Sequence, residues 1–367
     1  MTRTPDGPPQ GPARKGFIAE VKDAVSLRAA LLVFGVLALQ LAFITSYVGA
    51  FHEPKLHQVP LAVVAPSQQV AGEAARRLAV LPGDPVDPRV VADETTARRE
   101  IENRDIDGAL LVDPRGTTDV LLVASASGAS LSQAIIETVT AAEADQRRSV
   151  RIVDVVPDSP GDSRSLTSFY LVIGWCVGGY LCAAILAISV GARPANTHRA
   201  LIRLGVLLLY SIAAGLLGTV IAGPILDALP GSVPALWGLG TLLVFTVGAI
   251  TLAFQGLAGV IGIGLAILLV VVLGNPSAGG AYPYPLLPPF WRSIGPALPP
   301  GAGTFAARSI TYFRGNAMTG PMLVLSAWAV GASLLTVASA LRRHSPSTKG
   351  AETADRSGPP SAGRTDP

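Results

Sequence analysis

The chain has 367 residues, half of them hydrophobic, with 14% charged and a net charge of +3. Average proteins carry about a quarter charged residues. The charges here crowd mainly into 1–28, 52–165, 191–203 and 342–367, leaving apolar runs of about 20 residues, enough to cross a roughly 30 Å hydrocarbon layer as helix. The small positive balance, without aromatic interleaving, excludes nucleic acid as a partner and makes the lipid bilayer the expected one.

Residues 1–28 read as a tail. Its first 16 residues are rich in Pro and Gly, with little to bury. From Phe17 to Ser26, apolar Phe17, Ile18, Val21 and Val25 oppose Glu20, Lys22 and Asp23. That pattern fits either a short amphipathic helix at a membrane surface or a continuation of the first span. Residues 29–51 form that span, an uncleaved anchor because the apolar run exceeds a signal-peptide core.

Residues 52–165 change character. Val59–Ala65 reads as a strand and Val70–Val80 as an amphipathic helix. Asp93 caps a second helix through Arg104. Gly108–Val112 and Asp119–Ala124 bracket the turn Asp113-Pro114-Arg115-Gly116, a hairpin signal. Leu131–Arg147 reads as a helix and Val150–Val156 as a strand. The order β-α-α-β-β-α-β describes a compact α/β domain large enough to own a core.

Five further spans are expected at 168–190, 204–226, 235–254, 257–274 and 320–341. The fold class is therefore an α-helical polytopic membrane protein of six transmembrane helices with an inserted extracytoplasmic α/β domain. The 191–203 link carries Arg193, Arg199 and Arg203 without an acid, and the 342–367 tail, expected to be disordered, begins Arg342-Arg343. By the positive-inside bias, both termini and this link are cytoplasmic and the protein is multi-pass in the plasma (inner) membrane.

The residues for chemistry are sparse. No Gly-Lys dipeptide occurs, so there is no nucleotide P-loop. His52, His57, His198 and His344 lack zinc-site spacing, and Cys176 and Cys182 read as apolar packing residues. No catalytic residue, cofactor or metal site is expected. Gly256, Gly259, Gly262 and Gly264 read as close helix packing, and Gln40, mid-span, as a helix–helix hydrogen bond. Span interiors without ionisable groups argue against a self-powered transporter.

The most distinctive stretch is GNPSAGGAYPYPLLPPFWRSIGPALPPGAGTFAARSITYFRGN, Gly274 to Asn316, within an outer 275–319 segment. Its Pro and Gly preclude one continuous helix, while its apolar residues suggest a re-entrant element packed on protein or lining a wet cavity. With Gly274, Asn275, Pro276, Gly279, Gly280, Pro283, Leu287, Pro288, Phe290, Ile294, Pro296, Leu298, Pro299, Arg308, Tyr312, Phe313 and Gly315, it resembles the motif joining the fifth and sixth spans in type-2 ABC exporter permeases of the YhgE/Pip (phage-infection protein) branch. The resemblance covers about residues 17–341 but lacks the extended coiled-coil insertion of longer members. The layout is also similar to nitrosoguanidine-resistance membrane proteins, which carry no dedicated ATPase. The resemblance implies a permease exporting a hydrophobic or amphipathic substrate, a homo- or heterodimer of permeases, and a separate ATPase subunit. In that case 17–26 and 191–203, with Arg193, Arg199 and Arg203, would form the ATPase dock; otherwise these arginines are topology signals alone. The alternative is a non-transporting envelope protein whose outer domain binds a partner or scaffolds assembly.

Overall fold

The computed structural model describes residues 26–344. The readings for 1–25, including most of the amphipathic segment, and for 345–367 lie outside the described residues. Leu27–Phe51 (α1) begins at Ser26, whose Oγ accepts from the Ala29 N–H at 3.1 Å and occupies one orphan donor of the first turn.

The α/β domain follows as β1 (Val59–Val64), α2 (Gln68–Ala79), β2 (Val86–Val90), α3 (Glu94–Asn103), β3 (Gly108–Leu111), β4 (Thr118–Val123), α4 (Ala129–Ala144) and β5 (Ser149–Asp154). The sheet order is β2-β1-β3-β4-β5. β1 runs parallel to β2 and β3, β3 pairs antiparallel with β4 through the expected turn, and β4 runs parallel to β5. Strand alternation sends Val59, Leu61 and Val63 to one face, where they meet Ala71, Ala74 and Leu78 of α2 and Leu131, Ile135 and Val139 of α4. Ala62, Ala109 and Leu122 face the other way, against Ala97 and Ile101 of α3. The helices thus cover both faces, although α3 covers little of its side.

The strand β2 is absent from the sequence reading. Its VDPRV carries no apolar alternation, and a proline argues against a central strand. Here it is an edge strand, where Pro88 need not donate. The helix caps were legible: Asp93 Oδ1 accepts from the Thr96 N–H at 2.8 Å, and Arg104 ends α3 in the left-handed region at φ 65°.

Four more long helices complete the bundle: α5 (Thr167–Val190), α6 (Thr197–Val220), α7 (Val233–Ala258) and, after α8 (Ile261–Ile267), α9 (Pro289–Ile294) and α10 (Pro299–Tyr312), α11 (Thr319–His344). With α1 these are five helices long and apolar enough to cross a membrane among the described residues. α6 continues as a π turn, Ile221–Ile225, containing Pro224, and α8 continues as another, Leu268–Leu273. α6 starts earlier than the expected 204, because the Asn196 side chain caps it through the Arg199 N–H at 2.9 Å. The link therefore shrinks to 191–196. The expected fifth span, 257–274, is a 13-residue apolar helix, Ile261–Leu273, about 20 Å long and short of a roughly 30 Å core. Gly259, at φ 65°, turns the chain between α7 and α8.

α7 is the axis. Of its most apolar window 67% is buried, against 6% for α1, and α5, α6 and α11 pack around it. Small residues allow the close approach: Gly179 of α5 lies against the Val244 carbonyl of α7, and Gly215 of α6 against Thr241.

One polar group inside the sheet domain carries unusual weight. Asp119 is fully buried and accepts from the Asp113 N–H, and Arg148 holds it through Nε at 2.6 Å and Nη2 at 2.7 Å. Losing one partner of such a pair leaves an uncompensated buried charge. Arg148→Met should therefore lower stability by about 3 kcal/mol, and adding Asp119→Asn should recover part of it, measured as unfolding midpoints of the purified protein.

Candidate functional site

The distinctive Pro/Gly-rich segment folds into a buried buttress between the sheet and the bundle. Pro289 and Pro299 occupy the first positions of α9 and α10, with Pro288 and Leu298 as N-caps, where a missing N–H costs nothing. Pro276, Pro283, Leu287 and Gly274 are buried, whereas Phe290 and Pro296 are exposed. Most of α10 is buried between the sheet and helices α5, α7 and α11.

Arg308 of α10 is the centre of this arrangement. Nη1 donates to Gly279 O at 2.7 Å, and Nη2 donates to Gly280 O at 2.7 Å and to Ser165 O at 3.0 Å. Gly279 turns at φ 68°, and the space a Cβ would need at Gly280 is filled by the Phe169 ring. These two glycines are thus a requirement of one arginine and one aromatic ring. Asn275 Nδ2 donates to the Tyr47 hydroxyl, tying the start of the segment to α1.

Further bonds tie the segment to the sheet domain. Arg292 Nη1 donates to His57 O at 2.9 Å, the His57 N–H to Pro285 O at 2.9 Å, and Ser130 Oγ to Ala281 O at 2.7 Å. Tyr312 donates to Asp162 Oδ2 at 2.7 Å, while Asp162 Oδ1 accepts from Thr167 at the start of α5. Sequence reasoning did not foresee the role of Arg104. Its Nη1 donates to Phe305 O and Ser309 Oγ, and its guanidinium lies 3.6 Å from the Phe305 ring centroid and 4.8 Å from that of Phe313. Arg104 itself is the left-handed residue that ends α3. Burial pulls the Arg104 pKa down to about 9, with Arg308 adding to the shift. Burial also pushes the nearby Asp107 carboxyl up to about 6, against the pull of Arg104.

The second feature lies at the other end of the bundle. α1 is pinned at its sheet-side end by Tyr47–Asn275 and by Phe51 on Tyr282, with ring centroids 5.5 Å apart, and it packs on Leu268–Leu273. Below that level it stands away from its neighbours. The gap is a groove of about 1460 Å³ between Leu27–Ala42 of α1 and Ala258–Leu268, with Gly35, Gly264 and Arg193 in its lining. It exceeds the roughly 300–1,000 Å³ of drug-sized sites.

The three link arginines are placed differently. Arg193 and Arg199 are exposed, and Arg193 Nη2 donates to Leu257 O at 3.3 Å. Arg203 is buried and donates to Val190 O and Gly191 O, closing the end of α5. The four glycines also divide. Gly256 packs against Ser339 and Gly262 against the Phe254–Gln255 backbone, whereas Gly259 serves the turn and Gly264 lines open space. Gln40 is exposed and makes no hydrogen bond among the described residues, in place of the expected helix–helix bond. Cys176 and Cys182 are free thiols, and among the described residues no group of three or more His, Cys, Asp or Glu is arranged to hold a metal.

The class these features define is a mostly helical polytopic chain with, among the described residues, five membrane-length helices and a small α/β domain. No protein-family model matches the chain, and no curated protein matches it.

Arg308→Lys should destabilise the protein by about 3 kcal/mol, since one ammonium cannot replace a planar fork donating to three buried carbonyls. Limited proteolysis should then cut first within 275–298. Asp107 gives a pH signature. With its folded-state pKa raised, its contribution to stability is complete below the unfolded carboxylate value and lost as pH rises through about 6. Asp107→Asn should flatten the melting-temperature profile between about pH 4 and 6.

Proposed function

We propose that this chain is a membrane transport permease, the transmembrane subunit of an ABC-type exporter for a hydrophobic or amphipathic substrate. The observation that carries this reading is the groove between α1 and α8: large, apolar and beside an exposed arginine. Span interiors without acids support a motor supplied from elsewhere, since ion-coupled transporters use buried ionisable groups. The likeness of the 274–316 segment to the YhgE/Pip motif supports the same class. In this reading the protein sits in the plasma membrane with both termini cytoplasmic, the α/β domain outside, the 275–319 buttress re-entrant on that side, and the short α8 acting with its flanking turns as the sixth element. Exposed Gln40, outside the groove lining on α1, supports pairing of two permeases through this helix, because a mid-membrane amide favours a partner.

A second reading, an envelope protein whose outer domain recruits a partner, is favoured by β5. It is the last strand of the sheet, largely exposed, with a free edge able to accept another strand. Purification from native membranes separates the two. The permease reading expects an ATPase subunit to co-elute and to be lost in Arg193→Gln/Arg199→Gln, with Arg203 kept because it caps α5. It also expects Arg115→Cys, and not His198→Cys, to react with an impermeant thiol reagent in intact cells. Absence of an ATPase together with full function of the double variant would leave the envelope reading standing.

A further inference from the structure

From residue 163 to residue 344 the sequence holds a single acid, Asp227, and Asp227 lies between α6 and α7 at the sheet-bearing end. The far end therefore presents Arg193, Arg199 and Arg342, with Arg203 buried behind them, and no carboxylate among the described residues there. Arg193 is the one of these that lines the groove. It is exposed, forms no ion pair among the described residues, and its guanidinium lies beside Gly259 at the turn between α7 and α8. Behind it the walls are Leu, Val, Ile, Ala and Gly throughout.

The groove is also the right depth for a lipid. From Leu27 to Ala42 it follows α1 for about 22 Å, more than half of a roughly 30 Å hydrocarbon layer. Its lining runs from Leu27 and Arg193 at the cationic end to Ala42 and Leu268, beside the stretch where α1 packs on Leu268–Leu273.

We propose that this groove binds a diacyl lipid with an acidic headgroup, its chains between α1 and α8 and its headgroup anion at Arg193. The lipid reaches the site sideways, from the leaflet at the Arg193 end. A zwitterionic lipid would fill the same walls, but its phosphate brings its own cation to the arginine, so the pair gains less than with a net anionic headgroup. A second copy of the chain would bring two cationic mouths together with no acid between them among the described residues. That the lipid is cargo rests on the permease reading; that it binds does not.

The test uses the full chain reconstituted in phosphatidylcholine vesicles carrying a trace of diazirine-tailed phosphatidylglycerol or, separately, diazirine-tailed phosphatidylcholine. After photolysis, cross-links are mapped by mass spectrometry. Cross-links from phosphatidylglycerol to residues of α1 and α8 should exceed those from phosphatidylcholine by about fivefold, the preference one interfacial cation supplies. Arg193→Gln should abolish the preference and Arg193→Lys should keep it. Gly264→Trp, placed where a side chain meets open space, should lower cross-linking by both lipids within the groove while leaving that on α11 unchanged.

Equal cross-linking by the two lipids, or a preference that survives Arg193→Gln, overturns the headgroup assignment. Groove cross-linking insensitive to Gly264→Trp overturns the site. A Leu31→Cys disulfide between copies in membranes, or cross-links from Leu31 to residues 1–25 of the same chain, would show protein in the groove and also overturn it. Failure to find an ATPase would sink the permease reading and leave this result untouched.

Discussion

A buried guanidinium with no carboxylate bonded to it is expensive unless its donors are used, and Arg308 uses them on backbone carbonyls. The three carbonyls come from two places far apart in sequence: Ser165, where the sheet domain hands over to α5, and Gly279–Gly280, where the chain leaves α8. Hydrogen bonds to charged groups are worth about 1.5–3 kcal/mol each, so the arginine outweighs the conformational preferences of a Pro/Gly-rich strand that could not hold a shape alone. Once Gly279 and Gly280 are fixed, Phe169 closes over Gly280 and α10 is buried between sheet and bundle.

The domain is therefore not finished where its sequence ends. Leu286 completes the core on the α2–α4 face, and Phe313 completes the one under α3, where a short helix leaves the sheet uncovered. Arg104 and Asn316 add polar ties on that side, since Asn316 Nδ2 donates to Glu102 O at 2.9 Å. Displacing the sheet relative to the helices would expose these apolar residues and strand a cation between two aromatic rings. The sheet and the buttress thus behave as one body, and the looser part of the molecule is α1.

What could be read from the chain alone followed from local rules. Apolar runs without charge marked the long helices, and Asp93 marked the start of α3 because capping is a matter of three residues. Where tertiary context overruled local pattern, the reading missed. VDPRV forms β2 because an edge tolerates proline. Arg199 and Arg203 looked like loop charges but lie on α6, started by Asn196. Gly259 shortens the expected fifth span by turning the chain. Arg308 was visible as a motif residue, but its convergence on Gly279, Gly280 and Ser165 joins positions up to 143 apart. The groove left no trace in the sequence, for it is defined by where α1 fails to touch its neighbours.

Pinned at one end and little buried by the described residues along most of its length, α1 is mechanically a cantilever. Its 25 residues make a beam about 37 Å long, so a tilt of about 10° at the Tyr47–Phe51 anchorage sweeps the Leu27 tip through roughly 6 Å. The motion bends no helix and breaks no backbone hydrogen bond; it changes only how much apolar side chain faces lipid on each flank. Near the anchorage the same tilt moves the helix by very little, so whatever displaces the tip widens or narrows the space beside it while the sheet and its aromatic clasp stay still.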